Sequence, residues 1–178
     1  HLMNTRQLAL LVVDVQELFC SSTEGRGTRT TERKAGKIKS LSQEFRKAGV
    51  GVYGIHTKPF GGNKPFYKFT SAEEDRIVSK KTPSAFTNKY LQRYLKKDKK
   101  KTLLICGFNL NACVYATAMD ARKKGYNVIL LRDLTGNDAA KGNEHSRSWE
   151  YLKDMRDEGV SIVQSSKALS LIKGGQHG

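Results

Sequence analysis

Residues 8–15 read LALLVVDV, a run of apolar side chains interrupted only by Asp14. A strand with one wet face alternates apolar and polar positions. A run that is apolar throughout needs cover on both faces, as in a parallel sheet held between two layers of helices. Similar runs recur as VGVYGIHT (50–57), TLLICG (102–107), YNVILLRD (126–133) and VSIVQS (160–165), with a shorter DRIVSK at 75–80. Helical patterns separate them. ERKAGKIKSLSQEFRKAG (32–49) places Ile38, Leu41 and Phe45 on one face, and TNKYLQRYLKK (87–97) does the same with Tyr90, Leu91, Tyr94 and Leu95. CVYATAMDARKKG (113–125) and a stretch from about 140 to 158 supply two more. Strands that alternate with helices predict crossover connections, hence an α/β domain of three layers, α/β/α, around a mostly parallel six-stranded sheet. Residues 1–178 are read as one such domain, with 1–3 a cloning remnant and 173–178, including His177, a flexible tail.

Composition narrows the function classes. No stretch of the 178 residues approaches the roughly 20 apolar positions of a membrane span, so no membrane partner is expected. The start, HLMNTRQ, lacks the pattern of a signal peptide. The three cysteines, Cys20, Cys106 and Cys113, have no framework spacing and no CxxC pair, which fits a reducing, cytoplasmic setting without structural zinc. A formal charge of +15 attracts polyanions. The basic residues are nevertheless spread along the chain, and the dense run KKDKKK (96–101) reads as a solvated loop. No RNA-recognition box, zinc finger, phosphate-cradling loop or GxGxxG is present, so no specific nucleic-acid partner is expected.

Ligands of open parallel sheets bind beyond the carboxyl ends of the strands. Reactive groups stand at those ends: Asp14 after the first strand, His56 at the second, Lys80 at the third, Asp133 at the fifth, and Cys113 at the helix that follows the fourth. A carboxylate ending a buried run requires a partner, and Lys80 is a candidate. A cysteine in the first turn of a helix is favoured as thiolate by the helix dipole. The segment 58–74, punctuated by Gly and Pro, is long enough to form a lid, and its Lys58, Lys64 and Lys68 suit a carboxylate or phosphate on the substrate.

Three blocks, DVQELF (14–19), KKTPSAF (80–86) and GFNLNACVYATAMDARKKGYNVILLRD (107–133), resemble the signatures of the isochorismatase-like cysteine hydrolases in order and spacing. The matching positions are Asp14 with Gln16, Lys80 four residues before Ser84, and Cys113 six residues after Gly107. The resemblance implies a Rossmann-like fold and an Asp14–Lys80–Cys113 triad. It further implies a covalent acyl-enzyme on Cys113, with the oxyanion held by backbone N–H groups in the turn Phe108, Asn109 and Ala112 to Cys113, and a cis peptide at Phe108–Asn109. Candidate substrate contacts are Gln16, Phe19, His56 and Phe86. Metal-dependent nicotinamidases of that family carry an Asp-x-His cluster after the second strand, whereas GIHTKPFGGN has His56 alone, so neither a metal nor another cofactor is expected. The resemblance favours hydrolysis of a C–N bond in a small amide or carbamoyl compound by a homo-oligomer, a dimer or larger. A catalytically silent module that binds a small molecule or anion remains the alternative.

Overall fold

A computed structural model describes residues 3–175. The anticipated start remnant falls outside it except for Met3, which packs against the core, and the end of the anticipated tail, from 176, falls outside it as well. Six strands form one sheet: β1 (Leu8–Val13), β2 (Gly51–Thr57), β3 (Arg76–Lys80), β4 (Thr102–Phe108), β5 (Asn127–Gly136) and β6 (Ser161–Val163). Their order is β3-β2-β1-β4-β5-β6, and every adjacent pair is parallel. The expected "mostly parallel" sheet is therefore wholly parallel. The helices are α1 (Glu17–Cys20), α2 (Arg29–Lys47), α3 (Lys89–Lys97), α4 (Tyr115–Lys123), α5 (Ser148–Asp157) and α6 (Ser165–Gly175).

The period of a strand sorts the apolar runs onto two cores. Leu8, Leu10, Val12, Leu104 and Cys106 face α2 and α6 and pack with Ile38, Phe45, Ala168, Leu169 and Ile172. Ala9, Leu11, Val13, Leu103 and Ile105 face the other way, onto Leu91 and Leu95 of α3 and Ala118 and Ala121 of α4. Reciprocal capping starts α2: the Thr31 N–H donates to Thr28 Oγ1 at 3.1 Å, and the Thr28 N–H donates to Thr31 Oγ1 at 2.8 Å.

Three parts of the pattern differ from expectation. The helix anticipated from 140 begins only at a short 3-10 turn, His145–Arg147, and α5 follows it. Helix α6 occupies the segment after β6, so residues 173–175 of the anticipated tail continue a helix. Asp133 caps that helix, accepting from Ser165 N–H at 2.8 Å and Ser165 Oγ at 2.5 Å, and so serves α6 rather than the carboxyl-edge site.

Because the helices run back against the strands, their carboxyl ends gather at the amino edge of the sheet. Their last turns carry Arg46, Lys47, Lys96, Lys97, Arg122, Lys123 and Arg156, which complement the helix dipoles. The run at 96–101 belongs to this edge, where Asp98 is held by Arg76 at 2.9 Å and by the Tyr53 hydroxyl at 2.5 Å. Much of the basic charge thus sits away from the carboxyl edge. Among the described residues, no helix is long and apolar enough to cross a membrane.

The switch in strand order falls between β1 and β4, where Val13 lies opposite Gly107. Gly107 has φ +112°, and a Cβ there would stand 2.0 Å from the Val13 carbonyl oxygen. Backbone on one side and a disfavoured φ on the other leave room for glycine only. Gly107→Ala is expected to destabilise the fold by about 3 kcal/mol in urea denaturation. A change below about 0.5 kcal/mol would contradict this packing.

Candidate active site

The register of three strands assembles the site. Lys80 ends β3 directly opposite Thr57 of β2, and Ile55, two residues earlier on that face, lies opposite Val13 of β1. Asp14 follows Val13 with φ 50°, a left-handed conformation rare outside glycine. Its N–H still donates to the Ile55 carbonyl at 2.9 Å, while its own carbonyl accepts from the Gln16 N–H at 2.8 Å. The turn directs the carboxylate sideways along the carboxyl edge. There Lys80 Nζ donates to Asp14 Oδ2 at 2.9 Å, with both side chains sealed from solvent at 0% and 1% exposure. Lys81, its neighbour in sequence, is exposed.

Thr57 closes the arrangement. Its hydroxyl lies 3.0 Å from each Asp14 carboxylate oxygen, donating to them, and accepts from Lys80 Nζ at 2.7 Å. Sequence reasoning passed over this residue in favour of the titratable His56 beside it. The alternation of β2 was the available signal, because Thr57 shares a face with Tyr53 and Ile55, whose core also takes in Cys113.

Cys113 lies in a π-helical turn, Leu110–Val114, between β4 and α4. The charges of both Asp14 and Lys80 act on its thiol. The structure therefore brings Asp14, Lys80 and Cys113 together. Burial first, and then the Asp14 charge, push the thiol up to about 12 against the opposing pull of Lys80. This corrects the expected thiolate: desolvation and a neighbouring carboxylate outweigh the helix end, so the resting sulfur keeps its proton at neutral pH. Cys20 and Cys106 are buried, and burial pushes their thiols up too.

The Phe108–Asn109 peptide bond is cis. Of the expected N–H donors, that of Ala112 donates to the Asn109 carbonyl at 3.1 Å and is occupied within the turn. Phe108 sits in the core facing α2. The two asparagines tie the turn to the loop after β5. Asn109 Oδ1 accepts from the Asp138 N–H at 2.8 Å, and the Asn111 N–H donates to Asn137 Oδ1 at 2.9 Å. Ser148 Oγ donates to Asn111 Oδ1 at 3.0 Å and accepts from Asn137 Nδ2 at 3.1 Å.

The candidate substrate contacts have diverse surroundings. Gln16 is buried and its amide serves backbone: Nε2 donates to the carbonyls of Thr57 and Phe60 at 3.1 and 3.2 Å, and Oε1 accepts from the Thr57 N–H at 2.8 Å. It pins the start of segment 58–74 to β1. Phe19 meets the Phe60 ring edge-on at 6.0 Å with Arg26 over its face. His56 points away from Thr57 and meets Phe66 edge-on at 5.7 Å. Burial, then Lys58, hold its pKa below the usual value. Phe86 stacks on Tyr126 with Lys124 over its ring, and the N–H of its neighbour Ala85 donates to Thr117 Oγ1 of α4 at 3.0 Å. The segment itself is anchored by buried Phe69 and by a Tyr67 N–H donating to the Val15 carbonyl at 2.7 Å.

The residues present do not fit a metal ion. His56 Nδ1 is buried and makes no hydrogen bond, and the charges acting on it are Lys58, then the Asp14 carboxylate, then Lys80. Among the described residues, no group of three or more His, Cys, Asp or Glu is arranged to hold one.

A family model described as "Isochorismatase domain" matches residues 8–165. A relative from Verticillium dahliae, "Secreted isochorismatase effector Isc1", is 29% identical over 145 residues, which are 75% of each chain. Among solved structures, a cysteine hydrolase from Pseudomonas syringae pv. phaseolicola superposes with a TM-score of 0.86 at 21% identity, covering 98% of this chain and 96% of that one. A pyrazinamidase of Pyrococcus horikoshii, solved in complex with zinc, superposes at 0.75 with 26% identity, covering 89% and 99%.

With the Cys113 thiol held at about 12, its alkylation by iodoacetamide is expected to rise about tenfold per pH unit from pH 7 to 10, with no plateau. Asp14→Asn removes the neighbouring charge while Lys80 remains, so the variant should alkylate faster at pH 7. A parent rate that levels off below pH 8, or slower labelling of the variant, would contradict this charge balance.

Proposed function

The chain belongs to the isochorismatase family, and on that premise we propose that it is a cysteine hydrolase that cleaves a C–N bond of a small amide or carbamoyl compound through an acyl-enzyme on Cys113. The observation that carries this reading is the buried Asp14–Lys80 ion pair at the carboxyl edge of the sheet, both of whose charges act on the Cys113 thiol. The amide class is supported by the Pyrococcus relative, whose name is pyrazinamidase.

The reaction follows from where the protons rest. As sulfur bonds to the substrate carbonyl carbon, its proton passes to Asp14. N–H groups of Cys113 and Asn109 receive the oxyanion, and Lys80 offsets the negative charge near the site. The C–N bond breaks as Asp14 gives the proton to the leaving nitrogen. Water then attacks the thioester, Asp14 takes its proton, and the C–S bond breaks as that proton returns to sulfur. No step passes through a metal or another cofactor. Thr57 and Lys80 hold the carboxylate in one orientation through both halves.

The chain is proposed to act as one domain and as a homo-oligomer. A cytoplasmic setting fits its unpaired thiols, although the Verticillium relative is named as secreted.

Assays with small primary amides, pyrazinamide among them, and carbamoyl compounds test the reading. Cys113→Ala is expected to lose at least about a thousandfold in turnover. Mass spectrometry of the parent quenched during turnover should find the acyl group on Cys113. A Cys113→Ala variant retaining a tenth or more of parental turnover would overturn the assignment.

A further inference from the structure

Helix α3 and the turn after it carry more positive charge than the fold uses. Residues 89–101, KYLQRYLKKDKKK, hold seven cations against one carboxylate. The carboxyl pole of a helix is equivalent to about half a negative charge and balances only a small part of this. The one acid, Asp98, is already engaged by Arg76 at 2.9 Å and by the Tyr53 hydroxyl at 2.5 Å. Among the described residues no carboxylate pairs with Lys96, Lys97, Lys99 or Lys101. Leu91 and Leu95 turn the apolar side of α3 into the core, and Lys89, Arg93, Lys96 and Lys97 are exposed on the other side. Beyond the end of the helix lies a cavity of about 620 Å³, lined among others by Arg6, Lys96, Lys99, Lys100 and Lys101. Lys100 Nζ donates to the Arg6 carbonyl at 3.0 Å, which ties the turn to the start of the chain and leaves the other four cations to face solvent.

An exposed ring stands in the same row. Tyr90 is 48% exposed and lies near-parallel to Tyr94 at 6.4 Å, with Lys89 and Arg93 at 5.5 and 5.6 Å from its centre. Unpaired cations beside an accessible aromatic ring are the combination that takes phosphates and an unstacked base. A duplex keeps its base faces within its own stack and gains nothing from the ring. A membrane surface calls for a helix with its apolar face turned outward, whereas Tyr90 is the one large apolar side chain exposed on α3.

We propose that α3 and the turn after it bind single-stranded nucleic acid without sequence preference, the phosphates meeting Arg6 and the lysines from Lys96 to Lys101, and a base meeting Tyr90. The lack of a sequence-reading motif agrees with this, since neither contact tells one base from another. None of Asp14, Lys80 and Cys113 contributes to this face, so the proposal stands apart from the hydrolysis proposed above.

Fluorescence anisotropy of labelled 20-nucleotide strands of mixed sequence, RNA and DNA, tests this on the full chain, with the matching duplex and vesicles of phosphatidylserine in phosphatidylcholine as competitors. At 100 mM salt a single strand is expected to bind with a Kd on the order of micromolar, at least about fivefold more tightly than the duplex. Binding of either strand supports the proposal, and the tighter of the two identifies the source. Lys96→Gln combined with Lys97→Gln, Lys99→Gln and Lys101→Gln should weaken binding at least tenfold and flatten its salt dependence. Arg29→Gln combined with Arg33→Gln, Lys37→Gln and Lys39→Gln removes the same charge from α2, on the other side of the sheet, and should weaken binding no more than about threefold. Tyr90→Ala should weaken single-strand binding at least about fivefold. Equal losses in the two fourfold variants, unchanged affinity in Tyr90→Ala, a duplex bound as tightly as the single strand, or displacement of the strand by the vesicles would each overturn the proposal.

Discussion

The ion pair between Lys80 and Asp14 is the constraint around which the carboxyl edge is organised. Two charges sealed from water 2.9 Å apart are tolerated only when their remaining hydrogen-bonding capacity is filled, and loss of either partner from such a pair costs about 3–5 kcal/mol. Thr57 fills that capacity on both sides. The pair spans three strands, so it also fixes their relative register at the edge where ligands of this fold class bind. Its effect on Cys113 follows from position. The carboxylate raises the thiol and the ammonium lowers it, and burial decides the sum in favour of a protonated sulfur. In the proposed reaction, a resting thiol beside a carboxylate loses its proton during attack rather than before it.

The turn that carries Cys113 is set by backbone constraints on one side and side-chain ties on the other. Gly107 admits the close approach of β1 to β4, and the cis bond after Phe108 leads into the π-helical turn that carries Cys113. Asn109 and Asn111 then attach that turn to the loop after β5.

Much of the fold was legible because strands buried on both faces cannot disguise their composition: LALLVVDV and TLLICG have no polar face to confuse with a surface helix. Helix α6 was not, since it begins at Ser165, the last residue of VSIVQS, with its first apolar residue, Ala168, only three positions on. Asp14, Lys80 and Cys113 were legible from their places at strand ends and from family resemblance. Thr57 was hidden because a neutral hydroxyl carries no signal until register puts it between two charges. The charge state of Cys113 was misread for a related reason: its nearness to a helix start is visible in sequence, whereas its burial and its carboxylate neighbour exist only after folding. Gln16 and Phe86 looked like ligand contacts because both belong to the signature blocks. In the structure the amide of Gln16 secures the Thr57 backbone, and Phe86 stacks on Tyr126.

The location of one proton is the central claim, and infrared difference spectroscopy reads it directly. Comparison of the resting protein with Cys113→Ala at pH 7 is predicted to lose one S–H stretching band, with Cys20 and Cys106 cancelling between the two samples. Identical S–H absorption in parent and variant would mean that the sulfur of Cys113 rests as thiolate, and would contradict the account.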